Sequence, residues 1–304
     1  MSIQGAIKYL TQQQIDREKW DACIERSSNG LIYGYSFYLD NMAKHWDALV
    51  LNDYEAVMPL TWNKKYGVLY LYQPPFTQQL GVFSCSLLPE ELLPAFISVI
   101  KKHFRFAEIF LNFQNQCNGL PLKTNFILSL KEKYDTICKG YGRDAIKNKR
   151  RSEKFQLLYG VMDNLHEATE LYKFIYASRT KHVKEKDYYN FEQLCLYARE
   201  KKMLVLRKVT DKHGEMLALA LLLQKKNRLY LLQSTTLPAG RLKEANYFLL
   251  DNVIREFSNR DMILDFEGSD IPGIAHFYKN FGAVNQPYYF FRHNLLPWPL
   301  RSLK

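Results

Sequence analysis

The sequence predicts an α+β protein made of two tandem domains, each a mixed, mostly antiparallel sheet flanked by helices. Three observations point there. The chain has 304 residues, long for one core and comfortable for two domains of about 150 each. The order helix, helix, antiparallel hairpins, helix, strand occurs twice along it. Local wording repeats as well: Leu-Val-Leu opens each hairpin set at Leu49 and Leu204, and KKYGVLYL at Lys64 matches KKNRLYLL at Lys225.

In the first half, helical spacing of apolar residues covers 12–28 and 36–46, the second with Ser36 as N-cap. Strands are expected over 48–51, 55–61 and 68–72, parted by Asn52-Asp53 and by the break from Asn63 to Gly67, which is hairpin chemistry. A helix opens at Pro89-Glu90-Glu91, where proline and acidic side chains suit a helix start, and runs to Phe104. Strands over 108–113 and 125–130 complete the half. The second half predicts helices over 165–182 and 189–201, then strands over 203–209, 216–224 and 228–234. A long amphipathic helix over 242–258, a strand over 262–267, a short helix over 272–280 and a strand over 287–292 follow. The bridge, 134–155, is helical after Gly142. The domains are therefore placed at 1–138 and 139–304, the second opening on a basic helix, with the last ~15 residues packing on the first.

Composition narrows the function. At 47% hydrophobic and 24% charged the chain reads as soluble and globular, without a disordered tract. Its start lacks a basic head followed by an apolar stretch, and its longest apolar run, 216–223, falls far short of the roughly 20 residues of a membrane helix. Five scattered cysteines without a CxxC spacing suit a reducing cytoplasm and argue against disulfides and zinc. Seven histidines without HxH or HExxH spacing add to the case against a metal enzyme. Neither GxGxxG nor GxxxxGK[ST] occurs, so dinucleotide and P-loop chemistry have no support. A cytoplasmic protein with no metal and no transmembrane segment is expected. The net charge of +11 is local: 139–154 holds seven basic and two acidic side chains, and 173–186 holds five and one. Such clusters recruit phosphates, whether of a nucleotide, an RNA or a peripheral anionic surface.

Four stretches could carry chemistry. In ILDFE, strand alternation puts Ile263, Asp265 and Glu267 on one face. Bare burial of carboxylates is costly, so these two must meet water, a cation or hydrogen-bond donors. They are either a general base with its neighbour, or partners of an Arg or Lys from an adjacent helix and caps of a backbone turn. The next helix has Ser269 or Asp270 to cap it, Pro272 at its start and Gly282 past its end. Ile274, Phe277, Tyr278 and Phe281 form its apolar face, where a tyrosine is more often core than catalytic. In LLQSTTLPAGRLKEA, Gly240 and Arg241 open a helix whose free N–H groups bind a phosphate or oxyanion, or else form a plain loop. Lys147, Arg150, Arg151 and Lys154 make one basic helical stripe, either a solvated face or the seat of a polyanion.

With these elements placed, the sequence resembles the GNAT acyltransferase superfamily, and within it the two-domain Fem-type peptidyltransferases. FYKNFGA, from Phe277, fits the superfamily's ending of a tyrosine four residues before a glycine. LDFEGS followed by IPGIAHFYKNFGA looks like the Fem-type version, and the KNKRR helix looks like that family's interdomain segment. The resemblance covers most of the chain and is most specific in the second half. It implies tandem GNAT-like domains and transfer of an acyl or aminoacyl group to an amine, such as that of a peptidoglycan precursor. The donor is acyl-CoA or aminoacyl-tRNA, used as co-substrate, with no tightly bound cofactor. LPAGRL, from Leu237, corresponds to the family's [RQ]-x-x-G-x-[GA] pyrophosphate loop. It keeps Gly240 but departs at Leu237 and Leu242, which tilts the reading towards a tRNA-borne donor.

The resemblance also assigns roles. Tyr278 protonates the leaving thiolate or ribose hydroxyl, and Asp265 and Glu267 orient or deprotonate the acceptor amine. The backbone at Gln233 and Ser234 holds the acyl carbonyl, with Gly240 and Arg241 on the donor. Lys147, Arg150, Arg151 and Lys154 take its anionic part. The first half, without a matching tyrosine ending, looks like a degenerate copy that shapes the acceptor groove. A different class stays open: a non-catalytic module that binds RNA or an anionic surface through the basic interdomain groove.

Overall fold

The computed structural model describes residues 7–86, 90–268, 270–298 and 301. The chain divides into two units: one runs to Lys123 and resumes at Pro287, and the other is Thr124–Gln286.

The first unit is built from strands β1 (Ile7–Leu10), β2 (His45–Leu51), β3 (Ala56–Lys65), β4 (Val68–Leu71), β5 (Phe83–Ser84), β6 (Phe106–Leu111) and β7 (Leu122–Lys123). Helices α1 (Arg17–Arg26), α2 (Ser36–Met42) and α3 (Leu92–His103) accompany them. The helix expected over 12–28 begins only at Arg17, because the Asp16 carboxylate accepts the N–H groups of Glu18 and Lys19 and caps the chain there. The helix expected over 36–46 stops at Met42: Ala43 is extended and Trp46 already pairs with Thr61 in the β2–β3 ladder. The proline expected to start α3, Pro89, lies outside the described residues. α3 turns Leu93, Phe96, Ile97 and Ile100 onto the sheet, at the three- and four-residue spacing of one helix face.

The second unit holds β8 (Phe126–Ser129), β9 (Leu158–Val161), β10 (Leu204–Thr210), β11 (Met216–Lys225), β12 (Arg228–Thr236), β13 (Ile263–Asp265) and β14 (Val284–Asn285). They lie in the order β14-β8-β13-β12-β11-β10-β9, and β12–β13 is the parallel pair. Its helices are α4 (Tyr134–Cys138), α5 (Arg143–Ser152), α6 (Leu165–Tyr176), α7 (Glu185–Glu200), α8 (Pro238–Leu242), α9 (Ala245–Phe257) and α10 (Pro272–Lys279). α9 buries Leu249, Leu250, Val253, Ile254 and Phe257 against the sheet, each contributing about 1.5–3 kcal/mol.

Three expectations shift here. The domain boundary falls after Lys123 rather than at 138, because β8 pairs with β13 and Tyr134 of α4 donates to Asp251 of α9. α6 closes at Tyr176, whose carbonyl accepts from the N–H groups of both Arg179 and Thr180. The helix expected over 242–258 is two helices, broken at Glu244, where φ is 54°. The final strand, β15 (Tyr288–Asn294), returns to the first unit and lies between β6 and β7, completing the order β1-β2-β3-β4-β6-β15-β7, with β5 beside β3.

Candidate active site

β12 and β13 run together only from Arg228 opposite Ile263 to Tyr230 opposite Asp265. There β13 ends, while β12 continues to Thr236. The β11–β12 register slips at the same level: Leu222 faces Leu231 and Leu221 faces Gln233, so Leu232 is an extra, bulged residue. A cavity of about 700 Å³ opens where the strands part. Tyr172 and Tyr176 of α6, Gln233 of β12, Tyr247 of α9, Glu267 and Tyr278 stand on its wall.

Tyr278 is held through the C-terminal end of its helix. The Asn280 carbonyl accepts the Gly142 N–H at 2.8 Å, and its side-chain oxygen accepts the Asp144 N–H at 3.2 Å. A Cβ on Gly142 would stand 2.4 Å from that oxygen, so a side chain there would displace the Asn280 amide. The helix start lacks the expected side-chain cap: Ile271 occupies the N-cap and Asp270 accepts from Thr124, while Ser269 lies outside the described residues. The Tyr278 ring stacks on Phe266 with centroids 4.7 Å apart. Burial first, then the charge of Glu267, lifts its phenol well above the ordinary tyrosine value, so it stays protonated.

The two carboxylates part company. Asp265 is fully buried, and its Oδ2 meets Arg228 Nη1 at 2.9 Å. Its Oδ1 accepts the Glu267 N–H at 2.9 Å. Asp265 is thus a fastener of β12 to β13 and a support for the turn that follows, with its cation from the neighbouring strand rather than a helix. Glu267 lies beyond the strand end at φ 53°, a left-handed conformation a non-glycine residue adopts at a cost of about 1–3 kcal/mol. This turn brings Glu267, and not Asp265, to the cavity.

Gly240 and Arg241 do not reach the cavity wall. Pro238 takes the first helical position, so α8 starts earlier than expected and the Arg241 N–H is spent on the Leu237 carbonyl at 3.0 Å. Gly240 is present for packing: a Cβ would fall 2.1 Å from the Leu217 carbonyl oxygen. The start of α10, through Ile271 and Gly273, and that of α9, through Asn246 and Tyr247, do border the cavity. Glu244 begins that helix in a left-handed turn without glycine, and no glycine marks it in the sequence.

Lys147, Arg150, Arg151 and Lys154 share one face, joined by Arg143, and line a shallow depression of about 420 Å³. Arg151 Nη1 pairs with Glu244 Oε1 at 2.9 Å, so the stripe borders the start of α9 and, through it, the main cavity. Of the second basic cluster, Arg179 reaches the cavity, whereas Lys173 is engaged by Glu170 and Glu185. Tyr172 and Tyr176 escape sequence reasoning, although their i, i+4 spacing on α6 is the signal that would have found them. Among the described residues no cluster of metal-ligating side chains is found, and no helix is long and apolar enough to cross a membrane.

At the level of sequence, neither a protein-family model nor a curated protein matches the chain. Solved structures do match. FemX is 14% identical with a TM-score of 0.66, over 97% of this chain and 99% of its own. The C-terminal domain of a putative lysylphosphatidylglycerol synthetase from Agrobacterium fabrum is 11% identical with a TM-score of 0.55, over 92% of each chain. A GCN5-related N-acetyltransferase from Sphaerobacter thermophilus is 8% identical with a TM-score of 0.51, over 96% of each. The chain has a GNAT-like, Fem-type fold.

Proposed function

We propose that this protein is an N-acyltransferase that moves an acyl or aminoacyl group from an activated donor to an amine. One observation carries the proposal: Glu267, Tyr278 and the bulged edge of β12 meet at a single cavity where two strands part. Bulged main chain beside a cavity can donate to a developing oxyanion. In the reaction the amine nitrogen attacks the acyl carbon and forms the new C–N bond. Glu267 takes the proton the amine loses. The bond from the acyl carbon to the leaving sulfur or oxygen breaks, and Tyr278 supplies that atom's proton. Neutralising Glu267 removes one cause of the raised phenol, so the first transfer prepares the second.

The donor is best read as an ester borne by a polyanion such as aminoacyl-tRNA. A phenol lifted above its usual value is a poor proton donor to a thiolate, whose ordinary value is about 8.5. It is better matched to an alkoxide. The α5 stripe bordering α9 suits a phosphate chain, and on α8 the Arg241 amide is already spent on the Leu237 carbonyl. Acyl-CoA is the second donor, a cell-wall precursor amine is a fitting acceptor, and a reducing cytoplasm suits the free thiols. The α5 depression also supports a second reading, an RNA- or anionic-surface-binding module without transfer. Incubation with charged tRNA or acyl-CoA and a panel of amines decides. The enzyme reading expects amide product that Tyr278→Phe and Glu267→Gln suppress; product unchanged in both variants, or absent with every donor, overturns it.

A further inference from the structure

Two of the five cysteines, 62 residues apart in the chain, meet in the first unit. Cys23 lies on the buried face of α1, and Cys85 follows the last residue of β5. Their sulfurs stand 3.6 Å apart, and the Cys85 thiol also reaches the Cys23 carbonyl at 3.6 Å. One carbonyl positions both residues: that of Glu55 accepts the Cys85 N–H at 3.0 Å and lies 3.9 Å from the Cys23 sulfur. Glu55 precedes β3, whose pairing with β5 sets Ala56 opposite Ser84. The approach is therefore fixed by a helix and a strand ladder. A sulfur–sulfur bond of about 2.05 Å is reached by closing the gap by about 1.5 Å.

The two thiols differ in access. Cys85 is exposed, whereas Cys23 is buried with 0% of its surface exposed. Burial first, then the neighbouring Cys85, raises the Cys23 thiol above its ordinary value. An oxidant in solution meets Cys85 first, and Cys23 lies behind it as the resolving sulfur. We infer that Cys23 and Cys85 form a reversible disulfide, a modification site written through Cys85 by a small-molecule disulfide such as oxidised glutathione. The Cys85 thiolate attacks one sulfur of that disulfide, which gives a mixed disulfide and releases one thiol. The Cys23 sulfur then attacks the Cys85 sulfur, and its proton goes to the second departing thiolate. Two protein thiols are oxidised to one disulfide, and one small disulfide is reduced to two thiols. The raised Cys23 thiol makes the second step the slower one. In a reducing compartment the pair rests as two thiols, and the bond forms as the ratio of small disulfide to thiol rises. Once made, it ties α1 to the end of β5. The inference is independent of the acyltransferase proposal.

The test incubates the full chain with oxidised and reduced glutathione at set ratios, traps remaining thiols with iodoacetamide and maps the peptides by mass spectrometry. The Cys23–Cys85 link is expected at least tenfold above any other pairing of the cysteines, and excess reduced glutathione should reverse it. In urea that preference should disappear, because it comes from the folded geometry. Cys23→Ala should accumulate the glutathione adduct on Cys85, and Cys85→Ser should leave Cys23 unmodified. A folded wild-type protein that keeps the adduct on Cys85, or shows no link between the two, overturns the inference. So does a preference that persists unchanged in urea. The wild-type map decides even if a variant does not fold.

Discussion

Arg228 Nη1 and Asp265 Oδ2 stand 2.9 Å apart and tie the first residue of β12 in its parallel contact to the last residue of β13, both shielded from solvent. Arg228 Nη2 also donates to Gln286 at 3.0 Å, and Asp265 Oδ1 holds the Glu267 N–H. One buried pair therefore closes the strand contact and sets the turn on which Glu267 is carried.

Arg228→Met should destabilise the second unit by about 3–5 kcal/mol, because it strands a buried carboxylate. Arg228→Met with Asp265→Leu should recover most of that loss, while transfer stays low because the Glu267 turn has lost its acceptor. Urea unfolding of both variants, read beside transfer rates, checks this; a single variant as stable as wild type refutes the assigned role.

Tyr278→Phe keeps the ring on Phe266 and removes only the hydroxyl. Turnover should fall about 10²–10⁴-fold, the usual worth of a placed proton donor, with a small change in melting temperature. The pH dependence has a definite sign. The folded-state phenol lies above its unfolded value of about 10, so its contribution is complete below pH 10 and declines as the pH rises above it. Wild type should therefore lose stability above pH 10 more steeply than Tyr278→Phe, measurable by denaturant titration between pH 9 and pH 11.

Glu267→Gly separates the backbone from the carboxylate. Glycine accepts a φ of 53° freely, so stability should hold or rise by about 1 kcal/mol. Transfer should collapse with the loss of the base. A marked loss of stability in this variant counts against strain at that position, and retained transfer counts against the base.

Arg150→Ala and Lys154→Ala should each lower the slope of log affinity for tRNA against log salt by about one, with little effect on folding. Arg151→Ala should do more, because it also releases Glu244 at the turn into α9. Filter binding across salt concentrations is the measurement, and slopes unchanged in all three variants exclude the stripe from the interface.

The α+β class and most strands are readable from alternation and hairpin breaks, and α10 from Pro272 and Gly282 around one apolar face. What misleads is local pattern without tertiary context. Trp46 continues a helical spacing but is claimed by the β2–β3 ladder. Gly240 matches a phosphate-loop glycine, yet it is small because the Leu217 carbonyl lies against it. Asp265 and Glu267 alternate like strand neighbours, but the strand ends between them and a left-handed turn redirects the second. The stripe on α5 is plain from spacing alone. The Cys23–Cys85 approach is not, since 62 residues of chain separate the two and the β3–β5 ladder is what brings them together.

β15 has a consequence for how the molecule is made. The strand that sits between β6 and β7 is supplied by Tyr288–Asn294, after the whole of the second unit. On the ribosome, β6 emerges early and waits with one edge bare, while the later-encoded unit already has every strand it needs. Folding order should thus run against the direction of synthesis, and the bare β6 edge is the segment a chaperone would have to shield in the interval.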